Sequence, residues 1–301
     1  MLINKWKVVV RRIKFTKKLK RNEEQKMKKY VYQPMRYFIL TFVVTWGFWL
    51  TAIALNSEES SIMIMILGMF SPAVVSIIMI LKSKDSTLVG DFKEKCFNLK
   101  KCNLANITIA MLIFLVAVGV SILLSVCFGQ SLNQFSFAED FSFTGISILA
   151  SVSILFFASI VEELGWRGYG VDAIAQSSTW FKATLIFSVL WACWHIPLFW
   201  IPGTYQCGLR ETSMWFMLNF IVSIMPLAFI ITWVYLKNEK NIFACAFIHM
   251  FINFVQEKVA MTAITKCVET FVLAAVAIVI VLCNKEMFFE KEHTGNLPKT
   301  E

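Results

Sequence analysis

Apolar stretches of about 20 residues recur along this chain, each the length a helix needs to cross ~30 Å of hydrocarbon. Eight can be read, over Tyr37–Leu55, Ile62–Leu81, Ile107–Phe128, Ile146–Val161, Phe181–Ile201, Met214–Leu236, Ile242–Met261 and Val268–Cys283. The fourth is short and spans only if it runs on through the charged motif that follows it. Lipid offers no partner to backbone N–H and C=O groups, so spanning segments of this kind close their hydrogen bonds internally as helices. The expected fold class is all-α: a polytopic membrane protein with eight transmembrane helices.

Charge placement orients these helices. With the N-terminus on the cytosolic side, the segments on that side carry 26 of the 29 Lys and Arg residues. Only Arg210, Lys258 and Lys266 fall outside. Lys and Arg concentrate in cytoplasmic loops, so both termini are expected there. The segment Asn56–Ser61 and the loop holding Glu139 and Asp140 have no basic residue, which suits the outer face. The reading divides the chain into a basic tail over 1–35, an eight-helix membrane domain over 36–284 and a polar tail over 285–301.

The net charge of +9 is local, because residues 1–30 hold 12 Lys and Arg against Glu23 and Glu24, leaving the remainder near neutral. Such a tail reads as an orientation signal with attraction to anionic lipid, and no nucleic-acid partner is expected. Trp6, Val10 and Ile13 can share one face of a short surface helix there. Met27-Lys-Lys-Tyr also reads as a natural start. The tail does not read as a secretory signal, since no small-residue cleavage site follows a short apolar core. Between the second and third spans, Leu88, Phe92, Cys96 and Leu99 recur at helical spacing among Lys93, Lys95, Lys100 and Lys101. That pattern predicts an amphipathic helix on the cytosolic surface. The eight cysteines are scattered and lack zinc-site spacing.

The chemistry lies where lipid is expected. Glu162 and Glu163 close the fourth apolar run in Glu-Glu-Leu-Gly-Trp-Arg-Gly, and an ionisable group at membrane depth is a functional candidate by default. Glu163 and Arg167 are four residues apart and can pair on one helix face. Arg favours bidentate carboxylate contact. Glu162 points about 100° away and is left as the free carboxylate. Gly165 and Gly168 permit close approach by a backbone or a substrate. Two of the three histidines, His195 and His249, lie in apolar runs, and the third, His293, is in the polar tail. Trp191 and His195 share a face, and Pro197 is expected to break that helix and free the carbonyl of Cys193. His249 and Asn253 share a face of the seventh helix. A carboxylate and an imidazole can activate water, and an imidazole with a carboxamide can donate to an oxyanion. Neither a Ser-His-acid pattern nor His-Glu-x-x-His is present.

Glu-Glu-x-x-x-Arg, aromatic-x-x-x-His and His-x-x-x-Asn follow one another on successive helices. This ordered set, over Ile146–Gln256, resembles the CAAX protease and bacteriocin-processing (CPBP, Abi) family of intramembrane endopeptidases, related to type II CAAX prenyl endopeptidases. Trp191 stands where Phe is commoner. The resemblance implies a hydrolase in the cell membrane whose site opens toward the cytosolic leaflet. It implies Glu162 and His195 as the water-activating pair and His249 with Asn253 as the oxyanion hole, with Glu163, Arg167 and Trp191 in support. The implied substrate is a peptide or lipidated protein, in CAAX-type processing or bacteriocin maturation and self-immunity. No cofactor is required on this reading. A divalent metal such as zinc, held by Glu162, His195 and His249, is the mechanistic variant. A non-catalytic immunity or peptide-binding protein of the same fold is the alternative. Convergence of the four groups predicts that the fourth helix continues past Arg167 and that the fifth begins after Phe181.

Overall fold

The computed structural model describes residues 31–55, 57–138 and 146–290. The Trp6–Val10–Ile13 face, the alternative start at Met27, Glu139, Asp140 and His293 lie outside the described residues. All that follows concerns the unit beginning at Gln33. Its helices are α1 (Pro34–Leu55), α2 (Glu58–Met69), α3 (Ser71–Ser83), α4 (Ser86–Phe97), α5 (Leu104–Ser125), α6 (Ile146–Gly165) and α7 (Val171–Ala175). They continue as α8 (Trp180–Trp194), α9 (Tyr205–Thr212), α10 (Met214–Lys237), α11 (Ile242–Lys258), α12 (Ala263–Cys283) and α13 (Lys285–Phe289). Among the described residues there is no strand, only an isolated bridge between Phe137 and Val259. Side-chain caps set where several helices begin: Asp85, Asn103, Thr179, Ser213, Asn241 and Thr262 each accept from a backbone N–H of the first turn.

Six helical stretches among the described residues are long and apolar enough to cross a membrane: Pro34–Leu55, Glu58–Ser83, Leu104–Phe128, Trp180–Trp200, Met214–Lys237 and Ala263–Cys283. The second is α2 and α3 end to end, broken at Phe70 where Pro72 occupies the first turn of α3. The remaining two expected spans are α6 and α11, the helices that carry the charged and polar motifs. They pack on each other, with α3 on the far side of α6 and α5 and α10 beside α11. At Gly165 the α6 backbone meets α3 so closely that a Cβ would stand 2.4 Å from the carbonyl carbon of Pro72.

The helix expected between the second and third spans is α4, with Leu88 and Cys96 buried. Two of its expected features are corrected. Leu99 is exposed, lying beyond α4 in a 3-10 turn, and Lys95 faces inward rather than outward. Lys95 is buried because Asp172 of α7 accepts from its ammonium, and Asp91 pairs with it one turn back. Asp172 also receives Lys240 at 3.3 Å and stands 3.2 Å from the Tyr235 hydroxyl. That hydroxyl is 3.1 Å from the Arg167 carbonyl. One buried carboxylate thus ties the surface helix and the α10–α11 turn to the segment that follows the Glu-Glu motif.

The expected late start of the fifth helix is also corrected: α8 begins at Trp180. Its first turn sits inside this polar layer, where Trp180 is fully buried against Tyr235 and the Lys240 ammonium lies 5.0 Å from its ring. Trp180, the first residue of α8, is therefore covered by protein at the end of the bundle, and counting depth from Phe181 as a lipid boundary overestimates it.

Burial pushes the Asp172 carboxyl up, but Lys240 and Lys95 outweigh it and hold it below the usual carboxylate range. A depressed carboxylate stabilises the fold above its unfolded pKa of about 3.9, and that contribution is lost as pH falls through the folded value. Asp172→Asn leaves Lys95 buried without its charge partner on α7. The expected loss is about 3–5 kcal/mol, read as a lower thermal midpoint in detergent. An unchanged midpoint would show that the Asp172 pairing carries no stability.

Candidate active site

Val161 closes the apolar run of α6, and the next residues turn polar without ending the helix. The backbone passes through a π-helical turn, Trp166–Gly170, into α7. The helix therefore does continue past Arg167. Single π turns widen a helix by one residue and re-aim the side chains around them.

Glu163 and Arg167 are fully buried and pair at 2.9 Å through Oε1 and Nη1. The contact is single rather than bidentate, and His249 Nδ1 meets the same Oε1 at 3.0 Å. A carboxylate only accepts, so Nδ1 of His249 carries the proton. The guanidinium lies 4.8 Å from the Phe187 ring and 5.6 Å from the Trp191 ring. Glu163 Oε2 and Arg167 Nε and Nη2 are buried without a hydrogen-bond partner among the described residues.

Glu162 faces away from this pair, as its position in the helix dictates. Its Oε2 accepts from the indole N–H groups of Trp191 at 3.1 Å and Trp166 at 3.3 Å. No hydrogen bond from a described residue falls on Oε1. Trp166 is a site residue that the sequence reading missed. The signal was available, since Trp166 stands four residues after Glu162 and so on the same face.

His195 sits where α8 tightens into the 3-10 turn Ile196–Trp200 around Pro197. Its N–H bonds three residues back to Ala192 at 3.2 Å, which leaves the Trp191 carbonyl without its usual α-helical donor. His195 Nδ1 lies 2.7 Å from that carbonyl. The break was expected to free Cys193; the carbonyl that receives the imidazole belongs to Trp191, because the helix tightens before the proline rather than at it. A carbonyl only accepts, so Nδ1 bears the hydrogen and Nε2 presents a lone pair.

Trp191 thus touches three of the candidate groups. Its N–H holds Glu162, its carbonyl holds His195, and its ring meets the His249 ring edge-on at 5.4 Å. Asn253 stands one turn beyond His249, half-buried and with no hydrogen bond to another described residue. The structure gathers Glu162, His195 and His249 around one indole. It makes no direct hydrogen bond between Glu162 and His195. Among the described residues no three His, Cys, Asp or Glu side chains converge as a metal cage. Nδ1 of both histidines is engaged, which leaves Nε2 of each as the nitrogen that can face a ligand.

Adjacent buried carboxylates and two oriented imidazoles thus meet on neighbouring helices of a helical membrane bundle. A family model described as type II CAAX prenyl endopeptidase, Rce1-like, matches residues 144–255. The chain is also 42% identical over 266 residues, 87% of its own length and 98% of the relative's, to "CAAX prenyl protease 2" of Methanococcus maripaludis strain S2. The chain belongs to the Rce1-like family of type II CAAX prenyl endopeptidases.

Trp191→Phe keeps a ring against His249 and Arg167 but removes the N–H donor to Glu162. The expected outcome is a fall in hydrolytic rate of about tenfold, the scale of one hydrogen bond to a charged group, with the thermal midpoint little changed. A wild-type rate in this variant would show that the indole hydrogen bond does not hold Glu162 for catalysis.

Proposed function

We propose that this chain is a CAAX-type intramembrane endopeptidase that hydrolyses a peptide bond of a lipidated protein or peptide with a water activated by Glu162 and His195. The observation that carries the reading is the Trp191 hub, which fixes one oxygen of Glu162 and fixes His195 with Nε2 as an acceptor. Glu162 Oε1 takes a proton from water. His195 Nε2 accepts the water's other hydrogen and orients it. The new C–O bond forms at the scissile carbonyl carbon, and the charge that develops on oxygen is met by His249 Nε2–H and the Asn253 carboxamide. Because His249 Nδ1 already donates to Glu163, an Nε2–H donor requires the imidazolium. Glu163 supplies the negative partner for that form, and Arg167 pairs with the same carboxylate oxygen. The C–N bond then breaks, and the proton held by Glu162 passes to the leaving amine.

We place this domain in the cell membrane with eight spans, α6 and α11 being the inner two, and with both termini and the opening of the site on the cytosolic side. The bias of Lys and Arg toward that side supports this orientation. Membrane lipid is the surrounding partner. The name of the Methanococcus relative favours CAAX-type processing over bacteriocin maturation or immunity. The mechanism draws on no metal.

The test is cleavage of a farnesylated CAAX peptide by purified protein in detergent. Glu162→Gln is expected to lower the rate by about 10²–10⁴-fold, the span of a general acid–base contribution, while a chelator leaves the wild-type rate unchanged. A Glu162→Gln enzyme as fast as wild type sinks the mechanism. Loss of the wild-type rate on chelation transfers it to a metal.

A further inference from the structure

Lys266 stands in the first turn of α12 with no direct ion pair among the described residues, although its charge reaches the buried Glu269 one turn along. Its ammonium donates to the Tyr205 hydroxyl at 3.1 Å and to the Gln256 carbonyl at 2.9 Å, and lies 4.8 Å from the Tyr205 ring centre. No described carboxylate forms an ion pair with it. Glu269, one turn along the same helix and almost fully buried, is engaged elsewhere: both its oxygens receive Gln256 Nε2 at 2.8 Å. An ammonium has three N–H donors, and two are used here. One donor remains for a ligand.

Two walls lead from the reacting groups to this ammonium. His249, Asn253 and Gln256 fall at i, i+4 and i+7 on one face of α11, and the rise from His249 to Gln256 is about 10 Å. The Gln256 carbonyl is the acceptor that holds Lys266. The second wall is aromatic: the His195 ring meets Phe220 at 5.6 Å, and Phe220 meets Tyr205 at 6.4 Å. Asn253, Gln256, Phe220 and Lys266 are all part-exposed, and Tyr205 is exposed. The walls therefore bound a strip open to a ligand rather than a closed core.

We propose that Lys266, with Tyr205, captures the free C-terminal carboxylate of the peptide substrate and so fixes the distance from the chain end at which it is cut. This rests on the endopeptidase reading above. An extended chain advances about 3.3–3.6 Å per residue, so three residues cover about 10 Å. Three is also the number of residues that follow the cysteine in a C-a-a-X terminus. The carboxylate takes the remaining donor of the ammonium as a direct ion pair, and the leaving fragment is held while Glu162 and His195 act on the bond behind it. A lysine that only reaches for the outer membrane surface would have no preference for the chemistry of the substrate terminus.

The experiment compares one lipidated peptide ending in a free acid with the same peptide ending in an amide. It uses wild type, Lys266→Gln and Lys266→Arg, with the thermal midpoint of each recorded. Wild type is expected to prefer the acid by about 10–100-fold in kcat/KM, the scale of a charge-assisted hydrogen bond, with the difference mainly in KM. Lys266→Gln is expected to bring the acid down to the level of the amide, and Lys266→Arg to keep the preference. Equal cleavage of acid and amide by wild type, or a preference that survives in Lys266→Gln, overturns the anchor while leaving the hydrolase intact. Cleavage of neither peptide by wild type overturns the endopeptidase reading and the anchor with it.

Discussion

A charge taken out of water must find its compensation inside the protein. At Glu163 and Arg167 this requirement organises the centre of the molecule. Both side chains are fully buried, and each would be untenable alone in an apolar bundle. Their pairing commits α6 to continue as a helix through the segment where its apolar run ends. His249 joins the same oxygen from α11, which locks the two inner helices together. Arg167 in turn lies against the aromatic faces of Phe187 and Trp191 on α8. Three helices are thus registered by one ion pair, and the other five apolar stretches can cover it from lipid without contributing a charge of their own to it.

Trp191 converts that register into a reactive arrangement. A carboxylate held by two indole N–H groups through one oxygen keeps the other oxygen free to accept a proton. An imidazole held through Nδ1 is fixed in the tautomer that presents a lone pair. Both conditions pass through the same residue, one by its side chain and one by its backbone. The shift from α to 3-10 geometry before Pro197 makes the carbonyl available. On the proposed mechanism Glu162 and His195 act on one water without touching each other.

The polar layer around Asp172 extends the same logic to the end of the bundle. Lys95, Lys240 and Tyr235 reach one carboxylate from three separate elements. That carboxylate lies just past the π turn that carries Arg167. Positions that read as solvent-facing by periodicity, Lys95 above all, are inward because the surface helix packs against protein rather than lying free on lipid.

The pattern of the chain carried much of this. Apolar length predicted an all-helical membrane protein and six of its candidate spans directly, and the i, i+4 spacing of Glu163 with Arg167 predicted a pair that forms. Spacing along one helix is local geometry, fixed by 3.6 residues per turn, so it is legible without a fold. What it could not supply is any contact between helices, because that depends on which faces meet and at what depth. Glu163 shared with His249, Trp191 reaching Glu162, the start of α8 at Trp180 inside a protein-covered layer, and Lys266 set between Tyr205 and Gln256 all come from packing. The sequence determined which groups this protein has for chemistry; the tertiary structure decided which oxygen, which nitrogen and which cation remain free to use, since a buried polar atom is free only when no neighbour across the bundle has already claimed it.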